Sequence, residues 1–322
     1  MQRLKGIQLI AASALLCIGL TVQAAFPEKP IHLIVPFPPN GTTDVVARRI
    51  SQKLSEVLGQ TVSIENKGGA GATIGTQIVA TAPADGYTLL MATNSHTANP
   101  SIYKSLSFDT VKSFTSVIMV GDTPGLIVIH PSVAAKTLPE FIALAKKTSP
   151  PLQYGTAGSG TFPHLATELF IDRAGIEMVH IPYKGASQGI TDVISGQVQL
   201  YISSVPTLLG HIKNGKLRAL AVTAVKRTDD LPQIPTVSES GYKGFEAVTW
   251  FGLLGPAKLP AAVVSTANVE LNKALNSPDL RKKLEDQGLN VTPTTPDEFG
   301  KLIKTDMAKW APVVKDSGAK VD

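Results

Sequence analysis

Two stretches of this 322-residue chain place glycine, hydroxyl side chains and proline where an apolar run gives way to a helical pattern. The first is Pro36-Phe37-Pro38-Pro39-Asn40-Gly41-Thr42-Thr43-Asp44. A loop between a strand and a helix aims unpaired backbone N–H groups and the positive end of the helix dipole outward, which suits an anion. Here prolines stiffen it, Gly41 lets a ligand approach the backbone, and Asn40 tolerates the left-handed conformation better than most residues. The same residues also suit a plain capped turn with no ligand, since Thr42, Thr43 and Asp44 are good helix caps. The second stretch is Tyr154-Gly155-Thr156-Ala157-Gly158-Ser159-Gly160-Thr161-Phe162-Pro163-His164, again after a short strand pattern and before a helix. Two such seats in different halves of a chain predict a small anion held across a cleft, at the C-terminal ends of strands. Neither has the G-x-G-x-x-G spacing or the P-loop lysine, so nucleotide phosphate fits poorly.

Other patterns carry competing chemistry. Gly69-Ala70-Gly71-Ala72-Thr73-Ile74-Gly75 could open a nicotinamide-binding turn, but a lone glycine pattern reads better as a tight turn with close helix packing. Gly185-Ala186-Ser187-Gln188-Gly189 matches the nucleophile elbow G-x-S-x-G. His211 is the only histidine after it, and Asp192 is too close to Ser187 to serve easily as the triad acid. A secreted serine hydrolase using Ser187 is therefore the alternative reading, and no catalytic residue is expected. His32, His96, His130, His164, His180 and His211 are scattered singly, without H-E-x-x-H or a cysteine partner, so neither a metal site nor a cofactor is expected. His164 differs from the rest: in the first turn after the second glycine loop, it is placed to orient that loop or the ligand.

The elements that must position these residues follow from periodicity. Short β-branched runs alternate with amphipathic stretches, which predicts an α/β fold with largely parallel strands covered by helices. Strands are expected over 31–37, 61–65, 88–93, 126–130, 178–183, 200–203 and 218–223. Over 43–58, Val46, Ile50, Leu54 and Val57 share a helical face, with Thr42 or Thr43 as cap and Gly59 at the end. A second helix is expected over 163–174, with Pro163 in its first turn and Gly175 after its end. The tail 271–322 reads as short amphipathic helices punctuated by Pro278, Pro293 and Pro296. With no repeat and no flexible linker, the chain suits two lobes joined by ordered crossing strands.

The first residues set the compartment. Arg3 and Lys5 precede the apolar run 7–20, and Val22-Gln23-Ala24 is a small-residue cleavage pattern, so residues 1–24 are expected to be a signal peptide cut after Ala24. The run falls short of the roughly 20 residues that a membrane span needs. Cys17, the only cysteine, follows Leu16 rather than a small residue, so lipid attachment is not expected. The exported chain, without cysteine, must rely on its core rather than on disulfides. Its composition, 43% apolar and 17% charged, is that of a fully folding globular protein. Loss of Arg3 and Lys5 leaves 28 basic side chains against 25 acids, a balance too small and too dispersed for nucleic acid.

Read in order, the motifs resemble the Bug family, the extracytoplasmic receptors of tripartite tricarboxylate transporters. The resemblance runs the length of the chain. It is carried by Phe26-Pro27-Glu28-Lys29-Pro30-Ile31, the proline loop ending in Asp44, Glu65-Asn66-Lys67, Asp85-Gly86-Tyr87-Thr88-Leu89-Leu90 and Asn99-Pro100. It continues through the Gly155 to His164 loop, His180-Ile181-Pro182-Tyr183-Lys184-Gly185, Gly215-Lys216-Leu217-Arg218-Ala219-Leu220-Ala221-Val222-Thr223 and Trp250-Phe251-Gly252-Leu253-Leu254-Gly255-Pro256-Ala257. The resemblance implies a two-lobed, type II-like periplasmic binding fold with the ligand cleft between lobes. Residues 25–125 and 250–322 would form the first lobe and 126–249 the second. It further implies a monomer that binds a small carboxylate-bearing organic acid and hands it to integral membrane transporter subunits; an orphan sensory binding protein would share the same chemistry. Ligand contacts are carried onto Phe37, Pro38, Asn40, Gly41, Thr42 and Thr43 in the first lobe and Gly158, Ser159, Gly160 and Thr161 in the second. His164, Asn94, Ser95 and Ser203 join them as pocket lining. Three positions depart from the family pattern: Asn40 where glycine is usual, Gln188-Gly189 where Pro-Ala is common, and Tyr201-Ile202-Ser203-Ser204 where an acidic or amide residue often lines the far end. The last favours a neutral, aromatic or second-carboxylate group over a distal ammonium.

Overall fold

The computed structural model describes residues 26–318, so the expected signal peptide lies outside the described residues. In chain order the elements are β1 (Ile31–Val35), α1 (Thr42–Leu58), β2 (Val62–Asn66), α2 (Thr73–Ala80), β3 (Thr88–Ala92), α3 (Asn94–Ile102), β4 (Phe114–Ile129) and α4 (Leu138–Ala145). There follow β5 (Gln153–Thr156), α5 (Phe162–Ala174), β6 (Val179–Pro182), α6 (Ala186–Ile194), β7 (Leu200–Ser204), α7 (Val205–Lys213), β8 (Arg218–Val222) and β9 (Val248–Pro256). The tail holds α8 (Ala261–Asn276), α9 (Pro278–Glu285), β10 (Asn290–Val291) and α10 (Pro296–Asp316).

The strands run in the order β2-β1-β3-β9-β4-β7-β5-β6, with β8 and β10 also paired to β4. At each end lie parallel β-α-β units, β1 with β2 and β3, and β5 with β6 and β7. The middle is antiparallel, and there one long strand serves both halves of a two-lobed fold. Residues 114–124 of β4 pair with β9, whereas residues 125–129 pair with β7 and β8. The expected strand 126–130 is thus the second half of β4. Neither the first half nor β9 shows in the alternation pattern, because both are buried almost throughout and so lack the polar-out positions of a half-exposed strand. β1 ends at Val35, two residues sooner than expected, where Pro36, Pro38 and Pro39 remove ladder donors.

Each half has its own core. Ile31, Leu33, Ile50 and Leu54 pack with Leu271 and Leu275 of α8, while Phe141, Tyr154, Phe170 and Leu200 pack in the other half. Pro278 and Pro296 open α9 and α10, as their punctuation of the tail suggested. α10 joins the two halves. Its Phe299 and Ile303 pack with Ile34, Leu90 and Ala92, but its Trp310 and Val314 pack with Phe141 and Phe170.

Candidate functional site

Gly41 caps α1 with φ −84° and no side-chain hydrogen bond, so the expected threonine cap is displaced by one residue. The reason lies at Asp44, whose buried carboxylate turns back onto its own loop. It accepts the Asn40 N–H at 3.0 Å, Arg48 Nε at 2.9 Å and Asn66 Nδ2 at 2.9 Å. Burial pushes Asp44 up, but the bonds from Arg48, Asn40 and Asn66 outweigh it and hold the group below its ordinary value. Asn40, at φ 67°, supplies the left-handed turn that lets this happen. The acid in the first turn is thereby spent on the loop, and the helix start faces the cleft without a negative side chain.

Six helices start on the wall of one cavity of about 770 Å³. Their N-cap residues Gly41, Ala72, Thr93, Thr161, Gly185 and Ser204, of α1, α2, α3, α5, α6 and α7, all line it. Of the six, only Thr93 makes a side-chain cap, accepting the Ser95 N–H. Among the described residues no carboxylate lines the cavity, and Lys184 is its one charged lining residue. Each helix start carries about half a positive charge and orphaned N–H donors, so the six together make a site for negative charge built almost wholly from backbone.

The two halves meet across this cavity. Thr42 Oγ1 and Ser204 Oγ lie 2.7 Å apart, one residue in the first turn of α1 and the other at the N-cap position of α7. A Cβ added at Gly185 would lie 3.6 Å from Pro38 Cγ, and one at Gly71 would lie 3.0 Å from the Ser159 carbonyl. Phe37, Phe162 and Phe251, with several prolines and alanines, make up the apolar part of the wall.

Of the residues proposed from sequence, Phe37, Pro38, Gly41, Thr42, Thr43, Ser95, Gly158, Thr161 and Ser203 line the cavity. Asn40, Asn94, Ser159, Gly160 and His164 do not. Asn94 is buried and ties three elements together, donating to Asp306 at 3.3 Å and accepting the Trp250 N–H at 3.2 Å. The Gly160 N–H is taken by His164 Nδ1 at 3.2 Å, so it points away from the cavity. Sequence reasoning missed Asn66, Thr93, Tyr183, Lys184 and Thr249 as lining, whereas Ser204, placed at the far end through the family resemblance, lines the cavity beside Ser203. Thr93 was findable, because it stands where a strand passes directly into a helix.

Residues 46–319 match the family described as "Tripartite tricarboxylate transporter family receptor". The chain belongs to that family. It is similar to protein BugT of Bordetella pertussis, 36% identical over 92% of this chain and 91% of that one. Among solved structures it is similar to Rpa4515 of R. palustris with adipate, at 33% identity and a TM-score of 0.87, over 92% of this chain and all of that one. The periplasmic binding protein BugD gives 34% identity and a TM-score of 0.86 over the same shares. MatC from Rhodopseudomonas palustris with bound malate gives 28% and 0.83, over 90% of this chain and 100% of that one.

In this receptor both glycine patterns pack closely at the cleft, and Ala72, Gly185 and Ser187 also line it. A Cβ at Gly75 would sit 2.8 Å from Pro36 Cβ, which is the close helix packing expected of the 69–75 turn. At Gly189 a Cβ would come within 2.4 Å of Tyr201, so the elbow-like glycine makes room for that ring. Ser187 lines the cavity at the start of α6, and among the described residues no hydrogen bond joins its Oγ to an imidazole or a carboxylate. No group of three or more potential metal-ligating side chains occurs among the described residues.

Proposed function

We propose that the chain is a periplasmic solute receptor that binds a small organic acid through a carboxylate and delivers it, as a monomer, to integral membrane subunits of a tripartite transporter. The observation that carries this reading is the set of six helix starts on a cavity that, among the described residues, no acidic side chain lines. Backbone donors fixed in a desolvated cleft hold negative charge without a counter-ion, and charge-assisted bonds of this kind are the stronger class. Relatives seen with adipate and with malate agree with it. The size of the cavity suits a ligand of a few carbons to a small aromatic acid. The exchange of β4's partners near Pro124 and Gly125 supports lobes that divide near residues 125 and 249, and the residues before Ala24 support export.

The test is a melting screen of stripped mature protein against dicarboxylates, tricarboxylates, aromatic acids and acidic amino acids, with matching amides and sugars as controls. A ligand at 100 times its Kd stabilises by about 2.7 kcal/mol, which is readily visible. Stabilisation by sugars, amides or cations alone would refute the reading. Ester turnover that disappears in Ser187→Ala would replace it with the hydrolase.

A further inference from the structure

The second glycine loop rests on a stack of three rings behind the cavity wall. Tyr154 of β5 lies against His180 of β6, with centroids 5.0 Å apart and planes at 10°, and His180 lies against His164 of α5 at 4.4 Å and 19°. Each histidine ends on the loop. His164 Nδ1 accepts the Gly160 N–H at 3.2 Å. His180 Nε2 and Thr156 Oγ1 share a hydrogen bond of 2.6 Å, and Thr156 Oγ1 accepts the Gly158 N–H at 3.2 Å. Both anchored glycines have positive φ, 115° at Gly158 and 76° at Gly160, a region that glycine enters and leaves freely, so the anchoring bonds select this form from the many open to the loop.

The Gly160 bond dictates a tautomer. A backbone N–H donates only to a lone pair, so His164 carries its proton on Nε2, 3.8 Å from Glu168 Oε1. A second proton could go only to Nδ1, where it would face the Gly160 donor. Charge on either ring would also be set against the other at stacking distance. We propose that His164 and His180 are positioning residues for the ligand: His164 in its neutral form, and His180 through Thr156, preset the backbone of residues 157–161, whose Gly158, Gly160 and Thr161 N–H groups are used within the loop, so that Ala157, Ser159 and the start of α5 are left to meet the acid group. The inference rests on the receptor reading for the nature of the ligand, and on the geometry alone for the state of the loop.

The groups facing the stack agree. Glu168, on the same helix as His164, accepts from the Tyr154 hydroxyl. From α3, Ile102 and Asn99 lie against Gly160, and Tyr103 just after it, its hydroxyl pushed up by burial, meets Gly71 beside the Ser159 carbonyl; from α10, the non-titratable Trp310 and Val314 share the core with Tyr154. The buried acid of α10, Asp306, is engaged by Thr97, Trp250 and Trp310. Burial, and then neighbouring His180, push His164 down to about 3; burial pushes His180 down to about 4. Burial pushes Glu168 up, against the Tyr154 hydrogen bond. Because the histidines are lowered in the folded loop and ordinary once released, the hold is full above about pH 6.5 and is lost as pH falls toward about 4. Raised Glu168 binds its proton more tightly in the folded state, which partly offsets that loss.

The experiment compares the mature parent with His164→Asn, which keeps an acceptor near the Nδ1 position and cannot become cationic, and with His164→Leu, which has no acceptor. Adipate and malate serve as probes in calorimetric titrations at about pH 7.5 and about pH 4.5. Near pH 7.5, H164N is expected to bind within about threefold of the parent and H164L about tenfold more weakly, at temperatures where each is folded. On acidification the parent should lose more affinity than H164N, and their ratio cancels the titration of the probe itself. Nitrogen-15 spectra of the ligand-free parent should show His164 protonated on Nε2, with the Gly160 amide protected near neutral pH and exposed on acidification. Binding by H164L equal to that of a binding parent, or a proton on Nδ1, overturns the inference. If the parent binds neither acid, the carboxylate reading fails for these probes, while the spectra still decide the tautomer and the hold on the loop.

Discussion

Gly41 is a helix cap with room for a side chain. Its φ of −84° is open to any residue, and the nearest atom to an added Cβ is the Pro38 carbonyl oxygen at 3.9 Å. Aspartate is a favoured N-cap, so Gly41→Asp should leave the fold as stable as before or firmer by a few tenths of a kcal/mol. The same carboxylate would occupy the start of α1 and repel an acid ligand. The expected outcome is an unchanged or higher Tm without ligand and no stabilisation by any acid that stabilises the parent, with Gly41→Asn as the neutral control. A full ligand shift in Gly41→Asp would remove α1 from the site. Gly160, in the second loop, cannot report in this way. At φ 76°, with Ile102 Cδ1 only 2.6 Å from an added Cβ, a substitution there would disturb the loop before any ligand arrived.

At the scale of elements, α10 decides how the tail relates to the lobes. α10, 21 residues long at about 1.5 Å per residue, carries Phe299 in the core beside β3 and, further along, Trp310 among the side chains of α5. Asp306 fastens its middle, accepting from Thr97 Oγ1 at 2.6 Å, Trp250 Nε1 at 2.8 Å and Trp310 Nε1 at 2.9 Å. Trp310→Ala should therefore cost about 3–5 kcal/mol by chemical denaturation, from the cavity and the lost donor. A loss below about 1 kcal/mol would mean that α10 is not anchored in the second core. This bridge was not legible in the sequence, because the apolar period marks a buried face without saying what buries it. The same limit applies to the site. Strand-to-helix loops are local, so Gly41, Thr42 and Thr161 could be placed on the cavity from their neighbours in the chain. Which side of a loop faces the cavity is not local: Asn40, proposed as a contact, gives its N–H to Asp44, and His164, placed to orient the loop or the ligand, takes the Gly160 N–H. Of the parallel strands, β1, β2, β3, β6 and β7 fall on expected runs, whereas β5 (Gln153–Thr156) was expected only as a short strand pattern before the glycine loop. β9 could not be read, since a strand buried on both faces has no alternation to show.

For the molecule as a whole, the contacts across the cavity imply that this conformation has its lobes together. The Thr42–Ser204 hydrogen bond is 2.7 Å long and spans the cleft, yet it involves only two neutral hydroxyls, worth about 1 kcal/mol net. A bond of that size cannot by itself hold the lobes shut, so closure should depend on a ligand whose acid group satisfies helix starts from both sides at once. The expected result in small-angle scattering is a radius of gyration that falls when a binding acid is added to ligand-stripped protein. Thr42→Val removes one member of the pair while keeping the shape of the side chain. It should weaken binding by about fivefold, mainly through faster dissociation, and leave the saturated, compact form unchanged. An equal radius with and without saturating acid would mean that the lobes do not move. An unchanged dissociation rate in Thr42→Val, despite normal compaction, would mean that the hydroxyl pair plays no part in keeping the receptor closed.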